Sequence, residues 1–281
     1  MKLISFVRSG QTGYGAVIDS GVAVLTGTAG AATLRDLLAV GGVDAARARV
    51  ATAKPDFVLA DCDLLPPIPD PAKVLCVGIN YVAHAAEAGR TVGKYPVIFQ
   101  RYADTLIGHG ATMLRPKASE KFDYEGELAV VIGRGGGHIA PENAMDHVAG
   151  YTCFNDASAR DWQFHTHQYG MGKNFRTSGP LGPWLVTADE VPDYRDLRIR
   201  TMLNGQEMQN DTLSKLAFDV PHLISYISQA LDWQPGDVLA TGTPSGVGFK
   251  RNPPVLLKDG DTIDVVIEGV GTLSNPVRDE A

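Results

Sequence analysis

Apolar positions along this chain fall mostly in short runs. VLCVGI (Val74 to Ile79), PVIFQ, ELAVVIG, HVAGYTCFND, GPWLVT, LRIRTMLNG, DVLATG and DTIDVVIEG each combine β-branched or aromatic residues with a turn signal at one end. That pattern predicts strands. The opening KLISFVRSGQTGYGAVIDSGVAVLT reads as short strands broken by Gly-rich turns. Helical spacing is rarer. TLRDLLAV predicts one or two turns, and YVAHAAEAG is favoured as helix by its alanines. DVPHLISYISQAL is the clearest helix, with Asp219 as N-cap and Pro221 in the first turn. Its Leu223, Ile224, Ile227 and Leu231 fall on one face, and Gln234-Pro235-Gly236 stops it.

Many strands, scattered helices and no βαβ alternation predict an α+β fold, a mixed β-roll. LLPPIPDPAK packs four prolines into one stretch, which excludes a central strand or helix interior and predicts an extended connector. The expected organisation is therefore a small β-rich N-terminal unit over residues 1–70 and a larger unit over residues 71–281.

Composition narrows the function classes. The 281 residues are 44% hydrophobic and 20% charged, ordinary for a globular protein with a large core. A net charge of -7 with no Lys/Arg run argues against nucleic acid. No apolar run approaches the ~20 residues of a membrane span. MKLISFVRSG lacks an apolar signal core, so a cytoplasmic location is expected. Cys62, Cys76 and Cys153 form no CxxC and read as free thiols in a reducing compartment.

The candidate chemistry begins in FDYEGELAVVIG. Residues i and i+2 of a strand share a face, so Glu125 and Glu127 project together. Two like charges at that separation favour a cation between them, although a solvated edge strand would also accept them. Asp156, on the next predicted strand, can join them. Hard oxygen donors select Mg²⁺, Mn²⁺ or Ca²⁺ over zinc. Asp123 shares the same face, as either another exposed carboxylate or a supporting group. His84 and Glu87 are three apart on a predicted helix, which suits a carboxylate-oriented general base or a plain surface pair. Gly78, Gly89 and Gly93 bracket that helix and would let it move over substrate. Lys173 in YGMGKNF could stabilise an oxyanion or simply be solvated. Arg160 could grip a substrate carboxylate or anchor Asp161 or another acid. TGTPSGVG is a tight Gly-rich turn whose N–H groups could hold an anion, without P-loop spacing. Trp162, Gln163, Phe164, His165 and His167 read as pocket wall or dimer contact. With no G-x-S-x-G motif, metal-assisted chemistry without a covalent acyl-enzyme is expected.

GINYVAHAAEAG, FDYEGELAVVIG, GYTCFNDASARDWQ, GKNFRTSGPLGPW and DVLATGTPSGVG, in that order, resemble the fumarylacetoacetate hydrolase family across residues 70–281. The N-terminal stretch resembles the small cap domain of many bacterial members. The resemblance implies a mixed β-sandwich roll, a homodimer and one divalent metal, Mg²⁺ or else Mn²⁺ or Ca²⁺, per site. It carries Glu125, Glu127 and Asp156 over as ligands and His84 with Glu87 as a catalytic dyad. Lys173 and Thr243 match substrate-contacting positions, and Tyr81, Arg160 and Gly242 in the same motifs join the candidate contacts. The expected substrate is a small anionic 2-oxo acid. The expected reaction is hydrolysis of a C–C bond in an acylpyruvate-type acid. Oxaloacetate decarboxylation or tautomerisation, isomerisation, and dehydration of a 2-keto-3-deoxy sugar acid use the same centre. In PVIFQRYADTLIG, relatives often carry Lys or Arg at the position of Arg101 and Ser at that of Asp104, a departure that would disfavour a highly anionic substrate tail.

Overall fold

The strand at Gly126–Ile132 explains most of the architecture. All seven of its residues are buried, so both faces must be covered. In the computed structural model, which describes residues 1–281, it is an interior strand of a twelve-stranded sheet. It pairs antiparallel with Val148–Asn155 on one side and Val238–Ala240 on the other. Beyond Val238–Ala240 come Val74–Gly78, in parallel, and then Val97–Arg101, antiparallel. A second sheet of five strands contains Arg198–Leu203, Gln206–Thr212, Thr262–Ile267 and Gly271–Asp279, closed by Met113–Arg115.

The two sheets face each other, as the mixed β-sandwich roll requires. Alternation sends Leu128, Val130 and Ile132 into one core with Ile199, Val265, Ile267 and Leu273 of the second sheet. The same core takes Leu223, Ile224 and Ile227 from the helix at Val220–Ser228 and the fully buried Trp233. Asp219 caps that helix by accepting from the His222 N–H at 3.0 Å. Leu231 is the exception to the predicted apolar face. It lies beyond the last helical residue and is 41% exposed.

The expected connector contains no helix or strand between Leu64 and Val74, yet it does not separate two sheets. Lys2–Arg8 pairs antiparallel with Gly179–Thr187, with Leu3 opposite Leu185, so residues 1–70 extend the large sheet. Their core is shared too. Leu3, Tyr14, Leu34, Leu37 and Ala46 pack with Val131 and Leu185. The short helix at Leu34–Ala39 starts with a reciprocal cap between Thr33 and Asp36, while a second helix at Val43–Val50 has no counterpart in the sequence reading. No helix is long and apolar enough to cross a membrane.

Candidate active site

The two glutamates stand where the interior strand begins. Gly126 between them faces the second sheet, where a Cβ would meet Thr201 Oγ1 at 2.2 Å. Glycine thus permits a close approach of sheets that leaves Glu125 and Glu127 together on the other face. The antiparallel register sets Gly126 opposite Asn155, which brings Asp156 alongside. Asn155 Oδ1 accepts from the Glu125 N–H at 3.0 Å, and the Asp156 N–H donates back to the Glu125 carbonyl at 2.9 Å. As a result one carboxylate oxygen from each of Glu125, Glu127 and Asp156 lies within 4.8 Å of the others, and all three residues are buried.

Three cations surround this triad. Arg101 donates to Asp156 Oδ1 at 2.6 Å and to Ser178 Oγ at 2.6 Å. Lys173 Nζ is 2.8 Å from Glu125 Oε2 and 2.5 Å from Asp156 Oδ2. Arg160 Nη1 is 2.6 Å from Glu125 Oε1, and its Nε donates to Asp123 Oδ2 at 2.9 Å. Asp123 is therefore a buried anchor, held also by the N–H groups of Gly248 and Phe249. Arg160 pairs with Asp123 and Glu125, and Asp161 turns away to accept from Ser119 Oγ. Burial pushes the Glu125 carboxyl up, but Arg160 and Lys173 outweigh it and hold Glu125 well below the ordinary carboxylate range.

Glu127 is different. It has no ion pair, and its hydrogen bond is the Gly242 N–H at 2.8 Å. Burial, followed by the charges of Asp156 and Glu125, pushes its carboxyl well above the ordinary range. A buried carboxylate with one neutral donor and two acidic neighbours is costly unless it is protonated or bound to a cation. The three oxygen donors and the unsatisfied charge at Glu127 together fit a hard divalent ion.

His84 and Glu87 occur on the helix at Val82–Glu87. His84 Nδ1 is 3.3 Å from Glu87 Oε2, and the Gly246 N–H donates to both Glu87 oxygens at 3.0 and 3.2 Å. Gly246 adopts φ +102°, a conformation that glycine alone accepts readily. His84 lines a cavity of about 190 Å³ together with Glu125, Glu127, Arg160, Lys173 and Thr243. His84 of the dyad and Glu125 and Glu127 of the triad thus line one chamber, with Glu87 held against His84 and Asp156 against the two glutamates.

The remaining candidates divide. Thr243 lines the cavity, but its hydroxyl is occupied, donating to the Gly126 carbonyl at 2.9 Å and accepting from Gln209 at 2.8 Å. Gly242 contributes its N–H to Glu127 and sits behind the wall. Tyr81 does not line the cavity. It is fully buried as the residue that starts the dyad helix, and its hydroxyl has no partner. Gln163 and Phe164 line the chamber, whereas Trp162, His165 and His167 do not. Sequence reasoning missed Arg90, Phe99, Tyr169, Phe249 and Lys250, which also line the wall, as do the apolar Val77, Ile79 and Ala88. Phe249 and Lys250 follow TGTPSGVG directly and could have been found from that motif.

Comparison with known proteins places the chain. A family model described as fumarylacetoacetate (FAA) hydrolase C-terminal matches residues 73–278. The oxaloacetate tautomerase fahd2, mitochondrial, of Xenopus laevis is 42% identical over 248 residues, covering 87% of this chain and 78% of the relative. Among solved structures, a 5-carboxymethyl-2-hydroxymuconate delta-isomerase from Mycobacterium smegmatis is 34% identical with a TM-score of 0.80, covering 100% of both chains. A maleylpyruvate hydrolase from Sphingobium sp. SYK-6, in complex with manganese(II) and pyruvate, is 30% identical with a TM-score of 0.83, again over 100% of both chains.

Proposed function

The chain belongs to the fumarylacetoacetate hydrolase family, an enzyme family, and on that premise we propose that it interconverts the keto and enol forms of oxaloacetate or a closely similar 2-oxo acid. The observation that carries this reading is the shared chamber, in which a carboxylate-backed imidazole lines the same small cavity as Glu125 and Glu127, on which the buried Asp156 carboxylate converges. The 42% identity with an oxaloacetate tautomerase favours this reaction over the others that such a centre supports.

The chemistry supplied by a divalent ion held by Glu125, Glu127 and Asp156 is Lewis-acid stabilisation of negative charge on the substrate's 2-oxygen. The protein's own residues do the rest. Glu87 fixes the tautomer of His84 through Nδ1 and leaves Nε2 free for proton transfer. His84 takes a proton from C3 of the keto form as charge moves to the 2-oxygen, and return of that proton from the imidazolium to this oxygen, directly or through water, completes the enol and restores neutral His84. The reverse sequence returns the keto form, so no atom is gained or lost overall. Arg160 and Lys173 bring positive charge to the chamber floor, where the substrate's 1-carboxylate is received.

Hydrolysis of an acylpyruvate-type C–C bond is the second reading. The same dyad could activate water, and the maleylpyruvate hydrolase likeness favours it. One experiment separates the two. Protein supplied with Mg²⁺ is given enolic oxaloacetate and, separately, acetylpyruvate. Fast loss of the enol absorbance with no new carbon fragments supports tautomerisation. Release of pyruvate and acetate supports hydrolysis instead.

A further inference from the structure

The cations of the chamber fall into two sets. Arg160 and Lys173, on the floor, are buried and tied to Asp123, Glu125 and Asp156. Arg90 and Lys250, at the rim, are exposed and take part in none of the molecule's ion pairs. Both cations line the same opening. Arg90 is also held in place. Its Nη1 donates to the Tyr169 hydroxyl, and its guanidinium lies 5.9 Å from the centre of that ring. Tyr169 in turn packs edge-on against Phe99 at 5.6 Å, in the cavity wall. Lys250 lies 5.1 Å from the ring of Phe249, which also carries Arg160 at 4.4 Å.

We propose that Arg90 and Lys250 form a subsite for the second carboxylate of a 2-oxo dicarboxylic acid. The inference rests on the 2-oxo acid reading above and adds the charge of the substrate's far end. A substrate with its 2-oxo-carboxylate end on the floor presents its other end to the rim. There a planar guanidinium and an ammonium with no acidic partner meet it. The subsite is coupled to the dyad. Gly89, at φ +70°, ends the dyad helix, and the Arg90 N–H donates back to the Ala85 carbonyl at 2.8 Å. Engagement of Arg90 therefore steadies the helix that carries His84. Asp104, which the sequence suggested as a penalty on anionic tails, is not among the cavity residues.

The test compares oxaloacetate with acetylpyruvate, which replaces the second carboxylate by an acetyl group. Enolisation is read as exchange of the C3 hydrogen in D₂O with Mg²⁺ present, and kcat/KM is measured for each acid. Where acetylpyruvate is not turned over, its competitive inhibition constant stands in. Replacing a charge-assisted contact should matter about tenfold. Arg90→Gln, an exposed substitution, is therefore expected to lower the preference for oxaloacetate over acetylpyruvate about tenfold, and Lys250→Gln to lower it in the same direction. A preference within twofold of wild type in both variants overturns the subsite. Absence of oxaloacetate enolisation by the wild-type protein overturns the underlying reading instead, and is seen before any variant is made.

Discussion

Arg101 Nη1 donates to Asp156 Oδ1 at 2.6 Å, with both side chains wholly excluded from solvent. Arg101 ends the strand Val97–Arg101 and Asp156 directly follows the strand Val148–Asn155, so the pair ties the wall of the chamber to its acidic floor. Removing Arg101 takes one of two cationic partners from the buried Asp156, leaving Lys173 alone against it. Arg101→Met is expected to cost about 3–5 kcal/mol of stability. Urea denaturation of wild type and variant checks this, and a loss below about 1 kcal/mol would mean that the pair behaves like a surface one.

The second prediction concerns the dyad. His84→Asn should keep the divalent site, because none of the three carboxylates hydrogen-bonds to His84. It should lower kcat for enolisation by roughly 10²–10⁴, the usual contribution of a positioned base. Calorimetric Mg²⁺ titration and the exchange assay, run on one preparation, read the two properties separately. Equal loss of both would place His84 in the ion site instead.

Glu127 gives a pH signature. Its carboxyl is raised above the ordinary 4.5 by burial and by Asp156 and Glu125. Between the ordinary value and the raised one, the folded protein binds the proton that the unfolded chain has released. Stability of the ion-free protein must then fall as pH rises through that window. Glu125 is shifted the opposite way, so its contribution is present above 4.5 and lost as pH falls below it. In EDTA, Glu127→Gln should therefore be more stable than wild type near pH 7, with the difference shrinking toward pH 5. With Mg²⁺ in excess the order should reverse, since only the wild type gains binding energy. Melting temperatures across the pH range test this, and an ion-independent order would contradict it.

Gly246 supports Glu87 from 159 residues away in sequence. A Cβ there would meet the Met208 carbonyl oxygen at 2.3 Å, at a φ of +102° that side chains avoid. Gly246→Ala is expected to cost about 1–3 kcal/mol and to lower kcat as Glu87→Gln does. Unchanged kinetics would show that Glu87 is held by other means.

Local rules made the acidic centre legible. Strand parity joined Glu125 to Glu127, and an antiparallel neighbour brought in Asp156. Helical spacing paired His84 with Glu87, and capping chemistry located the helix at Asp219. What stayed hidden depended on distant partners. Arg101 gives no local sign that it meets Asp156, and Arg160 gives none that it meets Asp123; both pairs arise from three-dimensional packing. The strand Gln206–Thr212 is nearly all polar, and only its neighbour Arg198–Leu203 makes it a strand. The proline connector marked a change of local structure, but the pairing of Leu3 with Leu185 across it could not be read from either segment alone.

The central claim is that Glu125, Glu127 and Asp156 jointly hold one divalent ion beneath the dyad. Crystals of active protein soaked with Mn²⁺ and pyruvate test it most directly by anomalous scattering. The account predicts a single strong peak bonded to a carboxylate oxygen of each of the three residues, with pyruvate beside it. A map from active crystals with no peak there, or with a peak bonded to other residues, would contradict it.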